Sequence, residues 1–123
     1  ILLCEDHPLN REIATALLEE KKAIVSIAEN GKKGVEIFGK SPEGYFDAIL
    51  MDIRMPVMDG YEATKAIRAM DRADAETVPV IAMTADAFTE DIQKCLDMGM
   101  NAHIAKPIDP VKLFRTIGSL ICS

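Results

Sequence analysis

Apolar and polar positions along this chain follow two different periods. Five short stretches are apolar at nearly every residue, at positions 1–4, 23–28, 46–52, 78–83 and 102–105. The third stretch, FDAILMD, leaves little room for a solvated face before it ends on Asp52. Apolar runs of this kind predict short strands that are buried on both faces, as in a parallel sheet.

The segments between these runs place apolar residues at helical spacing. Pro8 suits a first helical turn, Asn30, Asp59 and Asp109 are candidate N-caps, and Gly99 is a candidate left-handed C-cap. Five helices are therefore predicted, one after each strand. The side chains expected to face the core are Leu9, Ile13, Leu17, Leu18, Val35, Phe38, Ala63, Ala66, Ile67, Met70, Phe88, Ile92, Cys95, Leu96, Leu113, Phe114, Ile117, Leu120 and Ile121.

This alternation predicts the fold class α/β. We expect a single three-layer, doubly wound domain in which helices cover both faces of a five-stranded parallel sheet, because parallel strands need right-handed crossover helices. The 123 residues are enough for one such domain. Residues 1–123 are therefore expected to form that domain. Because the chain opens inside a strand pattern without an initiator Met, we also expect it to be part of a longer chain.

Charge and cysteine content exclude several classes of protein. The 14 basic and 20 acidic residues give a net charge of −6, which disfavours nucleic acid or an anionic membrane as a direct partner. No apolar run approaches the ~18 residues that a membrane span needs. Cys4, Cys95 and Cys122 lack disulfide or zinc-ligand spacing. We expect reduced thiols and a cytoplasmic domain, whose parent protein can be membrane-anchored.

Polar side chains that can bind a ligand or react lie at the ends of four of the predicted strands. Glu5 and Asp6 come after the first strand, Asp52 ends the third, Thr84 the fourth, and Lys106 follows the fifth. The carboxyl ends of parallel strands meet at one edge of the sheet, where such folds bind ligands. Clustered carboxylates predict Mg²⁺, with Mn²⁺ as an alternative ion. The hydroxyl of Thr84 and the ammonium group of Lys106 can both stabilise the negative charge of a phosphoryl group. Asp52 is then the candidate nucleophile that accepts this group.

These residues and their order resemble the receiver domains of response regulators and hybrid histidine kinases. The matching motifs are Glu5-Asp6, MPVMDG after Asp52, Thr84-Ala85, and Lys106-Pro107, and the resemblance extends over essentially the whole chain. It implies a flavodoxin-like fold with strand order 2-1-3-4-5. It also implies that Asp52 accepts a phosphoryl group from a phosphohistidine, with Thr84 and Lys106 as further catalytic residues.

The resemblance assigns further roles to individual residues. The implied metal ligands are Asp6, Asp52 and the backbone carbonyl of Arg54, with Glu5 acting through water. Thr84 and His103 are the expected switch residues, although relatives usually have Tyr or Phe where this chain has His103. Two further expectations are that Arg54 and Asp86 set the lifetime of the phosphoryl group and that the Lys106-Pro107 bond is cis. The surface of the fourth helix, fifth strand and fifth helix is expected to contact an output partner.

Three functions remain open at this point. A phosphorylation-gated signalling module would take its phosphoryl group from a histidine kinase or a histidine phosphotransfer domain, would catalyse only its own phosphorylation and dephosphorylation, and could belong to a hybrid histidine kinase. A small-molecule aspartyl-phosphate hydrolase would also use an Asp nucleophile, but Arg54 stands where that family has a second Asp. The third function is a receiver-like binding module that is never phosphorylated. A monomer and a weak homodimer are both compatible with the sequence.

Overall fold

The computed structural model describes residues 1–84, 89–106 and 108–121. Its sheet has five parallel strands in the order β2-β1-β3-β4-β5, as the resemblance implied. The predicted roles of Asp86 and of the Lys106-Pro107 bond depend on residues outside the described ranges. The strands are β1 (Leu2–Cys4), β2 (Ser26–Ala28), β3 (Ile49–Asp52), β4 (Val80–Thr84) and β5 (Ala102–Ala105).

Within the described ranges, five helices alternate with these strands, which confirms the predicted α/β class. Asn30 and Asp59 are N-caps, and their side chains accept hydrogen bonds from the backbone N–H groups of Lys33 at 2.8 Å and Glu62 at 2.9 Å. Gly99 adopts a left-handed φ of 94°. The helices are α1 (Pro8–Glu20), α2 (Gly31–Lys40), α3 (Gly60–Arg68), α4 (Thr89–Asp97) and α5 (Pro110–Ile121).

Two hydrophobic clusters lie on opposite faces of the sheet. In β3, Ile49 and Met51 belong to the cluster that includes residues of α2, α3 and α4, whereas Leu50 belongs to the cluster that includes residues of α1 and α5. Successive strand residues point to opposite faces, so an unbroken apolar run fills both layers of the core. The predicted three-layer arrangement is therefore confirmed.

Three strands begin later than the apolar runs indicated. Pairing begins at Ser26, Ile49 and Val80, two or three residues inside the predicted stretches. Phe46 and Val78 precede these starts and are nevertheless buried in the core. The apolar runs therefore include buried residues that lead into a strand as well as residues that pair within the sheet.

The predicted inner stripe of α1 was partly wrong. Leu9 is 56% exposed and Ile13 is 45% exposed, whereas Ala14 and Leu18 are buried. Consecutive helical positions differ by about 100°, so a core-facing stripe through Ala14 and Leu18 leaves Ile13 on the flank of the helix. Leu96 of α4, also predicted to face the core, is 51% exposed.

The helices are short in comparison with the thickness of a bilayer. In the described part of the chain, none combines the length and the apolar character that a membrane crossing requires.

Candidate functional site

The parallel sheet gathers the predicted site residues at one edge. The carboxyl ends of its strands meet there, and the loops that follow them surround a cavity of about 190 Å³. All five residues that the sequence placed at strand ends line this cavity, namely Glu5, Asp6, Asp52, Thr84 and Lys106. Side chains from four strands are thus close together, although as many as 101 positions separate them in the sequence.

Asp52 lies at the centre of the site and is only 3% exposed. One of its carboxylate oxygens, Oδ2, lies 3.0 Å from the ammonium group of Lys106. The other, Oδ1, accepts a hydrogen bond from the backbone N–H of Arg54 at 3.3 Å. The carboxylate is therefore held in one orientation by the residue that follows β5 and by the loop that follows β3.

Glu5 is more deeply buried than the sequence indicated. Its side chain is enclosed, with Oε1 accepting the backbone N–H of His7 at 3.1 Å and Oε2 lying 3.0 Å from Lys106 Nζ. Lys106 therefore bridges Glu5 and Asp52. This places Glu5 as an anchor for Lys106, while its contact with a metal through water stays a prediction.

The electrostatics of the three bridged groups favour an additional cation. Burial raises the pKa of Asp52 to about 7, an effect opposed by the hydrogen bond from Lys106 and increased by the charge of Glu5. Burial alone would lower the pKa of Lys106, but hydrogen bonds and charges from Asp52 and Glu5 outweigh it, so that pKa is raised. Lys106 is thus charged at neutral pH. A cation beside Asp52 would favour its ionised form and lower its pKa.

The donor set fits a hard divalent cation. Three carboxylate oxygens lie within 4.8 Å of one another, one each from Glu5, Asp6 and Asp52. Three negative charges at this spacing repel one another, and Lys106 supplies only one compensating charge. Oxygen ligands of this kind suit Mg²⁺, which takes one or two carboxylates and completes its shell with carbonyls, waters and phosphate oxygens.

A close backbone approach fixes the loop after Asp52. The N–H of Gly60 donates to the carbonyl of Ile53 at 2.8 Å, so α3 begins directly beside the end of β3. A Cβ atom on Gly60 would lie 2.3 Å from the carbonyl oxygen of Asp52. Only glycine fits at this position, which explains why the loop ends on Gly60.

The same loop contains a strained residue that offers a test of stability. Val57 has a φ of 69°, and the N–H of Met58 donates across it to the carbonyl of Pro56 at 2.7 Å, which is the pattern of a γ-turn. A β-branched side chain is disfavoured in this conformation. We expect Val57→Gly to raise the free energy of unfolding by about 1 kcal/mol, measured by urea denaturation.

Val57→Ala is the matched control for this stability test. It removes the branch but keeps the Cβ atom, so it should recover less than Val57→Gly. Val57 is 76% exposed, and neither variant removes a core contact. Equal stability of all three proteins would contradict the assignment of strain to this position.

Two predicted site residues are exposed, in contrast to the buried Glu5 and Asp52. His103 is exposed on β5, where it pairs in register with Ala82. Arg54 is exposed and lines the cavity through the loop after β3. The switch role of His103 and the lifetime role of Arg54 stay predictions.

Two contacts near the site were not foreseen from the sequence. Arg11 of α1 donates from Nη1 to the carbonyls of both Glu5 and Asp6. On the far side of the cluster, Lys94 of α4 lies 4.5 Å from the centre of the Tyr61 ring, beside a second cavity of about 480 Å³. The sequence contained a signal for the first of these contacts, because Arg11 is a basic residue in the first turn of the helix that follows an acidic pair.

Comparison with known proteins identifies the class to which this fold and site belong. The family model described as the response regulator receiver domain matches residues 1–118. Hybrid signal transduction histidine kinase I of Dictyostelium discoideum is 36% identical over 99% of this chain, and Histidine kinase 1 of Arabidopsis thaliana is 36% identical over 98% of it. The chain covers only 7% and 12% of those two relatives.

Solved structures agree with this result. The receiver domain of sensor histidine kinase PA1611 from Pseudomonas aeruginosa, crystallised with magnesium in its active site cleft, superimposes with a TM-score of 0.89 at 39% identity, covering 99% of this chain and 96% of that one. The receiver domain of Saccharomyces cerevisiae Ssk1, in complex with the histidine phosphotransfer protein Ypd1, gives a TM-score of 0.86 at 30% identity, covering 98% and 87%.

The chain therefore belongs to the response regulator receiver domain family. It is a receiver domain of two-component signalling, and hybrid histidine kinases are among its relatives.

Proposed function

We propose that this domain accepts a phosphoryl group on Asp52 in a Mg²⁺-dependent reaction, with a phosphohistidine as the donor. The observation that supports this most directly is the placement of Asp52, which is buried at the end of β3, bonded to Lys106 and beside the carboxylate of Asp6. A carboxylate oxygen of Asp52 forms the new O–P bond while the P–N bond of the donor breaks. The electron pair of that bond stays on the imidazole nitrogen.

Each residue of the cluster has a proposed part in this reaction. Asp6, Asp52 and the backbone carbonyl of Arg54 would hold Mg²⁺, and Glu5 would reach it through water. The ion would supply positive charge to the transferring phosphoryl oxygens and align donor and acceptor. The ammonium of Lys106 and the hydroxyl of Thr84 stabilise the charge on those oxygens. Mn²⁺ takes the same oxygen ligands and could replace Mg²⁺.

Phosphorylation would change the domain through the same groups. A phosphoryl group brings about two negative charges and three acceptor oxygens, which attract the Thr84 hydroxyl. We propose that His103 then turns inward and that the surface of α4, β5 and α5 rearranges, where an unidentified output partner could read the change. Arg54 and Asp86 would shield the phosphoryl group from water, although Asp86 lies outside the described residues.

The exposed apolar residues of α1 suggest where the phosphodonor docks. Leu9 and Ile13 are about half exposed on the helix that begins directly after the acidic pair. Residues four positions apart are neighbours on a helix surface, and contiguous exposed apolar side chains often mark a protein-binding surface. A similar receiver has been crystallised with a histidine phosphotransfer protein. We propose that a histidine kinase or phosphotransfer domain contacts this surface, in the cytoplasm, when it presents its phosphohistidine to Asp52.

The proposed reaction is tested with small phosphodonors. Incubation with acetyl phosphate or with phosphoramidate, which has a P–N bond, should add the mass of one phosphoryl group when Mg²⁺ is present. A chelator should prevent the gain, and Mn²⁺ should restore it. Borohydride reduction followed by peptide mapping should place the modification at Asp52.

The alternatives give different results in the same experiment. A hydrolase would turn over p-nitrophenyl phosphate many times per protein molecule, whereas the proposed module would stop after one phosphoryl group and lose it slowly. A binding module that is never phosphorylated would gain no mass. Labelling that is indifferent to the chelator would contradict the metal assignment.

A further prediction separates the metal ligand from the phosphoryl contact. We expect Asp6→Ala to raise the dissociation constant for Mg²⁺ at least about tenfold, because a carboxylate ligand is lost. Lys106→Ala should change it by less than about threefold, because an ammonium group cannot bind a cation. Calorimetric titration at fixed ionic strength measures both values. Equal loss of affinity in the two variants would show that this division of roles is wrong.

Lys106→Ala should nevertheless impair the response to phosphorylation. Its ammonium group joins the end of β5 to Asp52, so without it the phosphoryl group loses its contact with that strand. Amide chemical shifts in the described part of α4 and β5 should therefore move less on phosphorylation than they do in the wild type.

A further inference from the structure

Arg11 contacts the backbone of the loop that presents the acidic pair. Its Nη1 group donates to the carbonyl oxygen of Glu5 at 3.1 Å and to that of Asp6 at 2.9 Å. The guanidinium is partly buried, and it reaches back from the first turn of α1 to the end of β1. One nitrogen thus bridges two successive carbonyls in the segment whose side chains form the site.

The start of α1 offers few other hydrogen bonds to the backbone of this loop. In the described structure, the side chain of the N-cap residue His7 makes no capping hydrogen bond, and Pro8 has no N–H to donate. The first turn also contains no acidic residue. The Glu5 N–H is bonded within the sheet, to the carbonyl of Ala28 at 3.0 Å, and the carbonyls of Glu5 and Asp6 are joined to α1 by the Arg11 side chain.

The choice of acceptor atoms is informative. Arg11 bonds to backbone oxygens, whereas Lys106 bonds to the carboxylates of Glu5 and Asp52. The guanidinium therefore brings positive charge to an acidic cluster without occupying the oxygens that a cation needs. Its two bonds also resist rotation of the peptide between Glu5 and Asp6, which sets the direction of both side chains.

We propose that Arg11 is a positioning residue for the phosphoacceptor site. It holds the Glu5–Asp6 segment so that the Asp6 carboxylate faces Asp52 and the Glu5 carboxylate remains on Lys106 and on the His7 N–H. This inference rests on the proposed function, since it assigns Arg11 to a site that binds Mg²⁺ through Asp6. Groups that orient metal ligands commonly change metal affinity about 10–100-fold when they are removed.

The test compares Arg11→Met with Arg11→Lys. Methionine keeps the length of the apolar stem but removes charge and donors, so the dissociation constant for Mg²⁺ should rise about tenfold. Lysine keeps the charge and can donate to both carbonyls, so it should recover much of that loss.

A second measurement does not depend on metal or on activity. With a chelator present, hydrogen exchange at the His7 amide should be faster in Arg11→Met than in wild type, because the bond from this amide to Glu5 depends on the held loop. Exchange in the paired residues of β3 should be unchanged. Arg115→Met is the control, since Arg115 is exposed on α5.

The outcomes distinguish failure of the inference from failure of the proposed function. If Arg11→Met lowers the unfolding midpoint but leaves Mg²⁺ affinity and His7 exchange unchanged, Arg11 has only a structural role and the proposal is overturned. If wild-type protein does not bind Mg²⁺, the proposed function fails. The exchange measurement then decides by itself whether Arg11 holds the loop.

Discussion

Asp52→Asn is expected to abolish phosphorylation by acetyl phosphate, with at least about a hundredfold loss of labelling rate. Asparagine preserves the size of the side chain and can still accept a hydrogen bond, but its amide is a poor nucleophile. The other carboxylates should not substitute for Asp52. Glu5 is tied to Lys106 and to the His7 N–H, and Asp6 lacks the ammonium contact that Asp52 has. Intact mass after a fixed time measures the label.

We expect Asp52→Asn to remain folded, so that its loss of labelling is due to the missing carboxylate. Burial raises the pKa of Asp52 to about 7. A raised pKa in the folded state means that the contribution of Asp52 to stability is fully present below its unfolded pKa and is lost as the pH rises through about 7. Without metal and above neutral pH, Asp52→Asn should therefore be at least as stable as wild type.

The control for this experiment is Asp71→Asn. Asp71 is exposed in the loop after α3, at the opposite edge of the sheet, and its replacement should leave labelling unchanged. If Asp52→Asn still gained a phosphoryl group at the wild-type rate, the nucleophile would be a different residue and the central assignment would be wrong.

The largest effect on stability is expected from Arg68→Met. The Arg68 guanidinium donates to the carbonyls of Gly99 at 2.8 and 3.0 Å, Ala75 at 3.0 Å and Val78 at 2.7 Å, and to Asn101 Oδ1 at 2.8 Å. It thereby joins the end of α3 to the loop that precedes β4 and to the loop between α4 and β5. Losing these bonds leaves partly buried acceptors without a donor, and the free energy of unfolding should fall by about 3–4 kcal/mol.

Arg115→Met and Arg68→Lys calibrate that expectation. Arg115 is exposed, so its replacement should change stability by less than about 0.5 kcal/mol. Lysine at position 68 keeps the charge but cannot direct donors to several carbonyls at once, so an intermediate loss is expected. Urea denaturation followed by circular dichroism gives all three values. A loss below about 1 kcal/mol for Arg68→Met would show that water replaces the guanidinium at little cost.

The order of elements and the residues of the site could be predicted from the sequence for a local reason. A strand buried on both faces has to be apolar throughout, and a helix on a sheet needs one apolar stripe, so both leave a periodic signal. Asp52, Thr84 and Lys106 interrupt or follow such runs, and parallel topology brings all strand ends to one edge. The fold class and the residues of the site could therefore be predicted from the pattern of apolar and polar residues within each strand and helix.

The tertiary structure decided the contacts between residues that are distant in the chain. No local pattern indicates that Glu5 is buried against Lys106, or that Arg68 bonds to the loops that precede β4 and β5. Spacing predicted the burial of Leu18 correctly but also placed Leu9 and Ile13 in the core, whereas packing against the sheet buries Ala14 instead. The partners of a side chain depend on how whole helices and strands pack together. Its burial and its hydrogen bonds involve elements that are far apart in the sequence, so no local pattern reveals them.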